Sequence, residues 1–167
     1  MFMMIENIQK LLELLHLKDN SYEEFLKKAD KEHIQLLEEG LNFSQEYDYS
    51  IDIVKDELGL EEELINSLVE DYVEQILTTI PQLQKMISDI EKKKEHNQEV
   101  DFNDFRDLVH KNLGVARNLR IKDVEEVLSA IKISEDTLFI QKALKYLATC
   151  MILLRPKVAY KVYAKRS

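Results

Sequence analysis

The sequence predicts an all-α protein: an antiparallel four-helix bundle with additional N-terminal helices. Three observations predict it. Two prolines and three glycines in 167 residues are too little turn punctuation for a sheet protein. Leu, Glu and Lys are abundant and tryptophan is absent, a composition that favours helix by intrinsic propensity. Apolar residues recur at three- and four-residue spacing along most of the chain.

Taken in order, Ile5, Ile8, Leu11, Leu12 and Leu15 mark an amphipathic helix over residues 3–17, which the polar stretch "KDNS" ends. Tyr22, Phe25, Ala29, His33 and Leu36 mark a second over 21–39, with Gly40 as its stop. The polar connection "NFSQEYDYS" separates an N-terminal helical extension, 1–46, from the main domain, 47–155. A short helix near 50–58 is closed by Gly59. From Leu60 a long segment carries Leu64, Leu68, Tyr72, Ile76, Ile80, Leu83, Ile87 and Ile90 along one stripe. Pro81 falls in its middle, where the missing N–H should kink or divide the helix. "EKKKEHNQE" reads as a solvated loop. "VDFNDFRD" opens the next helix, with Asp101 as N-cap and Asp104 three residues on, and that helix runs to Leu119. A shorter helix spans 122–132, and Ser134 caps a last one that stops before Pro156. Residues 156–167, with "KVAYKVYAKRS", read as a basic, irregular tail.

The net charge of −9 speaks against a general affinity for nucleic acid, whose phosphates such a surface repels, and favours partners with basic faces. One cysteine, Cys150, cannot form an internal disulfide, and no Cys/His spacing resembles a zinc site, so a reducing compartment is expected. Cys150 lies in an apolar run and is expected to be inert core. The apolar start is interrupted by Glu6 before a signal-peptide core or a membrane span can form, so a cytoplasmic protein with no membrane association is expected. The first two helices are expected to pack within the chain, which favours a monomer slightly.

The segment "LVHKNLGVARNL", residues 108–119, holds a glycine inside a helical pattern, where it costs about 1 kcal/mol relative to alanine. At roughly 100° per residue, Phe102, Phe105, Val109, Leu113 and Ala116 form one apolar stripe, and His110 lies roughly 130° from its centre. The histidine is thus predicted to face water, with Gly114 one turn on and Asn103, Arg106 and Arg117 close in angle. An exposed imidazole is largely neutral near pH 7 and keeps a ring lone pair able to attack phosphorus. Gly114 removes the side chain that would overhang the ring, and Arg106 and Arg117 could balance a phosphoryl group carried there. Plainer alternatives stand beside this one: a solvated surface histidine, and a glycine marking close helix packing.

From these residues the sequence resembles the histidine-containing phosphotransfer (Hpt) domain, a four-helix bundle that relays phosphoryl groups in multistep two-component signalling. The family pattern is H-x-x-K-G followed by an Asn-Leu-Gly stretch, and "HKNLGVARNLR" places His110, Gly114, Asn118 and Leu119 correspondingly. "LINSLVEDYVEQILTTIPQLQKMI" looks like the family's second helix, proline included. Leu113 stands at the family lysine and Arg120 at its second glycine. The resemblance implies that His110 accepts a phosphoryl group from an aspartyl phosphate on one receiver domain and passes it to another. The cation then comes from Arg106 or Arg117, helped by Lys111, and Asn103, Asp107, Leu113 and Asn118 belong to the docking face. The implied partners are response-regulator receiver domains and a hybrid sensor kinase. No cofactor is expected on this chain, since the partner brings Mg²⁺. With no P-loop or ATP-binding segment in the sequence, a phosphoryl carrier is expected rather than a self-contained kinase.

Two other readings fit parts of the pattern. A pseudo-Hpt module would bind receivers without transfer, as Leu113 in place of lysine suggests. A bundle metalloprotein would use the i, i+3 carboxylate–histidine pairs Glu13/His16 and Asp107/His110, but Asp107 and His110 are predicted to project away from the core, and no metal is expected. His33 and His16 are expected at core or boundary positions, and His96 in solvent.

Overall fold

A computed structural model describes residues 18–44 and 48–166, with side chains from Ser21 onward. The predicted helix over 3–17, Glu13, His16 and the boundary at residue 46 lie outside the described residues. Among them the chain is all helical: α1 Lys18–Glu38, α2 Ile51–Leu58, α3 Glu62–Glu95, α4 Asn103–Asn118, α5 Lys122–Ile133, α6 Thr137–Leu154 and α7 Pro156–Lys165.

From α3 onward each helix packs on the next in sequence as far as α7, and α6 also closes back onto α3. The connections α4–α5 and α5–α6 are three residues each, so those neighbours run antiparallel. α6 is the centre of the molecule, touching α1, α3, α5 and α7. Its 18 residues have a mean hydropathy of 1.4, long and apolar enough by those measures to cross a membrane, and half of them are buried inside the protein. Burial among four neighbours requires that composition.

Several helix ends share one chemistry. At Gly40 (φ +105°) the Gly40 N–H donates to the Leu37 carbonyl and the Leu41 N–H to the Leu36 carbonyl, while buried Leu36 and Leu41 close the cap. The end of α4 repeats the arrangement without glycine. There Arg120 takes φ +62°, its N–H donates to the Arg117 carbonyl, and the Ile121 N–H donates to the Ala116 carbonyl. Asn97 (φ +54°) does the same at the end of α3.

Several sequence expectations need correction. "KDNS" is itself helical, lying within α1, which therefore extends ahead of the expected start at residue 21. Of the two outcomes expected at Pro81, division does not occur, since α3 is continuous across it, and α3 also takes in Glu91 to Glu95 of the expected loop. Its buried stripe starts at Ile65 and Val69, leaving Leu64 48% exposed, because the apolar face sits one residue later in the first two turns. Phe102 occupies the N-cap position of α4, while the Asp101 side chain accepts from the Asn103 N–H at 2.8 Å, one turn-type bond ahead of the helix. The cap of α6 is Asp136, whose carboxylate accepts from the Phe139 N–H, whereas Ser134 ends α5. The tail is not irregular: α7 buries Ala159, Tyr160 and Val162 against α1, α3 and α6. Pro156 sits in its first turn, where a missing N–H costs nothing.

Candidate functional site

The turn at 119–121 folds α4 and α5 into a hairpin whose residues face each other at matching distances from the turn. Three polar pairs cross it. Arg117 Nε lies 3.8 Å from Glu125, His110 Nδ1 lies 2.8 Å from Lys132 Nζ, and the Arg106 guanidinium donates to Glu135 at 2.9 Å. His110 is exposed, as the wheel predicts, while Phe105, Val109, Leu113 and Ala116 are buried beneath it. From below, the Tyr72 hydroxyl donates to the Asn112 carbonyl at 2.9 Å, tying α3 to the turn of α4 that carries the histidine.

Gly114 lies one turn beyond. A Cβ built there meets nothing within 4 Å, so close helix packing does not explain the glycine. Asn103, Asp107, Lys111, Arg117 and Asn118 are exposed on α4 and Arg106 is half-buried. Leu113 does not belong to this surface: at 1% exposure it is core, which corrects its expected place on the docking face. Its side chain points into the bundle because position 113 shares the apolar stripe with Val109 and Ala116.

The two arginines expected to supply the phosphoryl cation are both engaged. Arg106 is held by Glu135 and lies over the Phe102 ring at 5.3 Å, and Arg117 leans on Glu125. The cation that touches the imidazole is Lys132, which the sequence reading missed. Its signal was the hairpin register: once the turn is placed at 119–121, Lys132 falls opposite His110. Ile133, the next residue, is 82% exposed.

A second polar cluster lies between α1 and α6. His33 Nδ1 shares a 2.8 Å hydrogen bond with Thr149 Oγ1, and its ring stacks on Tyr146 at 4.5 Å. Burial holds the His33 pKa below 6.5, with Asp30 opposing. Burial raises the Asp123 carboxyl and pushes the Cys150 thiol well up, so Cys150 is a poor nucleophile, in keeping with its expected place in the core. His96 is exposed, its Nδ1 2.8 Å from the Lys92 carbonyl at the end of α3. Among the described residues no three His, Cys, Asp or Glu side chains converge as a metal-binding set.

Comparison of the chain with protein-family models, curated proteins and solved structures finds no match.

Proposed function

We propose that this protein is a histidine phosphotransfer protein, in which His110 carries a phosphoryl group between aspartates of receiver domains in a multistep phosphorelay. The observation that carries this reading is an exposed imidazole on a rigid helix, with a lysine ammonium at hydrogen-bond distance and open backbone one turn away. Phosphoryl transfer asks little of a protein beyond positioning and charge compensation, and a partner must reach the ring. The exposed ring and the ammonium beside it support the reading on these points.

Further support comes from the helix arrangement. α3, α4, α5 and α6 each contact two of the others in a closed ring, as in an Hpt-like four-helix bundle. Arg120 adds to it, for the position of the family's second glycine has a left-handed backbone, which glycine adopts without strain. In this reading the receiver domain brings Mg²⁺, a hybrid sensor kinase supplies the phosphate, and the relay is cytoplasmic. The exposed side chains of α4 together with Ile133 form the docking face. A second reading, receiver binding without transfer, is favoured by one observation: Leu113 is buried where the family has lysine.

Phosphotransfer profiling against every receiver domain of its own organism tests the two. Transfer predicts acid-labile label on the wild-type chain and none on His110→Gln. Binding to a receiver with no label supports the second reading, and neither binding nor label across an active set removes both.

A further inference from the structure

We propose that Lys132 is the positioning residue of this site: its ammonium, 2.8 Å from His110 Nδ1, shields the phosphorylated ring from protonation and so lengthens the life of the phosphohistidine. The inference rests on the phosphotransfer reading and adds to it the group that governs how long the phosphate is held. Three observations carry it. Lys132 is the cation in contact with the ring, arriving from α5 rather than from the histidine's own helix. Arg106 and Arg117 are drawn towards Glu135 and Glu125. The position three residues beyond His110, one turn along α4, is buried Leu113 and offers no charge.

The chemistry follows from the two ring nitrogens. At rest the ammonium donates to Nδ1, which places the ring proton on Nε2. Because the ring is exposed it exchanges that proton with water; when Lys132 steps back and Nδ1 holds the proton, Nε2 has the free lone pair. That pair forms the N–P bond while the P–O bond to the partner's aspartate breaks, and its electrons stay on the released carboxylate. The Nδ1 proton departs to water, and the lone pair it vacates again accepts from Lys132. The contact seen between the two side chains is therefore the one the phosphorylated ring requires. A phosphorylated imidazole is lost to water once Nδ1 is protonated, because it then leaves as a neutral group. A cation donating to Nδ1 opposes that proton by direct competition and by like-charge repulsion.

The test uses the full chain with potassium phosphoramidate as phosphate donor, following phosphohistidine by ³¹P NMR. Wild type, Lys132→Met, Lys132→Arg and the distant charge control Lys161→Met are compared. The expected result is label on His110 in all four, lost several-fold faster from Lys132→Met, with wild-type persistence in Lys161→Met and recovery in Lys132→Arg. In the unphosphorylated chain, ¹⁵N NMR of the ring should report the Nε2–H form in wild type and a shift towards mixed tautomers in Lys132→Met. Equal lifetimes in wild type and Lys132→Met, or an Nδ1–H ring in wild type, overturn the role of Lys132 alone. No label on His110 from phosphoramidate or from receivers overturns the phosphotransfer reading and this role together.

Discussion

Gly114 carries a cost for which the core gives no return. Its missing Cβ would meet nothing within 4 Å, so Gly114→Ala should stabilise the protein by about 1 kcal/mol through helix propensity, read as a higher urea midpoint. In the phosphotransfer reading the same methyl stands on open backbone that a receiver closes onto, so the variant should take label from a receiver several-fold more slowly. Unchanged stability and unchanged transfer together would remove any special role for the position. Arg120 shows the converse case, a side chain kept in a backbone that suits glycine. Its guanidinium donates to the Arg117 and Asn118 carbonyls and to Glu57, capping α4 and tying α2 to the turn. Helix-wheel reasoning reached His110 because α4 is a regular helix of 16 residues with one clean stripe. It could not reach the left-handed turn at Arg120, since residue type gives no signal there and only the hydrogen bonds of the cap define it.

His33 makes a prediction of definite sign. Its folded pKa lies below the ordinary 6.5, so its contribution to stability is fully present above pH 6.5 and is lost as pH falls through the lowered value. Wild type should lose stability over that interval relative to His33→Gln, measured by denaturant titration at several pH values. Asp123 acts in the opposite sense: its raised pKa favours the folded state as the carboxyl protonates, and the variant comparison isolates the histidine from it. Parallel curves for the two proteins would contradict the assignment.

At the scale of elements, the α4–α5 hairpin does what neither helix does alone, since it sets Lys132 against His110 across a three-residue turn. The helices themselves were legible from their periodicity. Their register was legible only in principle, because it requires the turn to be placed before facing residues can be paired. α7 was missed for a different reason. Val158, Ala159, Val162 and Tyr163 do have helical spacing, but Pro156 ahead of them and five cations among and around them read as an ending. Tyr160 binds this helix to α1: its ring meets Tyr22 and Phe25 edge-on at 5.5 and 5.3 Å, and its hydroxyl shares a 3.1 Å hydrogen bond with Ser21. Tyr160→Ala should therefore cost about 3 kcal/mol, the loss expected on emptying a buried aromatic site. Thermal unfolding checks this, and a change below about 0.5 kcal/mol, the range of ordinary surface substitutions, would show that α7 adds nothing to the fold.

For the whole molecule, charge and shape divide the labour. A net charge of −9 keeps the surface broadly acidic, while the α4–α5 hairpin carries Arg106, Lys111, Arg117 and Lys132, of which Lys132 contacts His110. The core on the other side of α4 runs without a break into α3, α5 and α6, so the histidine stands on a helix held rigidly from below. Fold class was legible in the sequence because composition and period point the same way at most of the helices, α7 excepted. The candidate site was half legible, since His110 lies on one helix and the lysine that contacts it on another. The most direct measurement of the central claim is the mapping of phosphate on the intact chain, at neutral pH, after incubation with phosphorylated receiver domains. The predicted result is acid-labile phosphate on His110 and nowhere else, lost in His110→Gln. Phosphate at another residue, or undiminished label in His110→Gln, would contradict it.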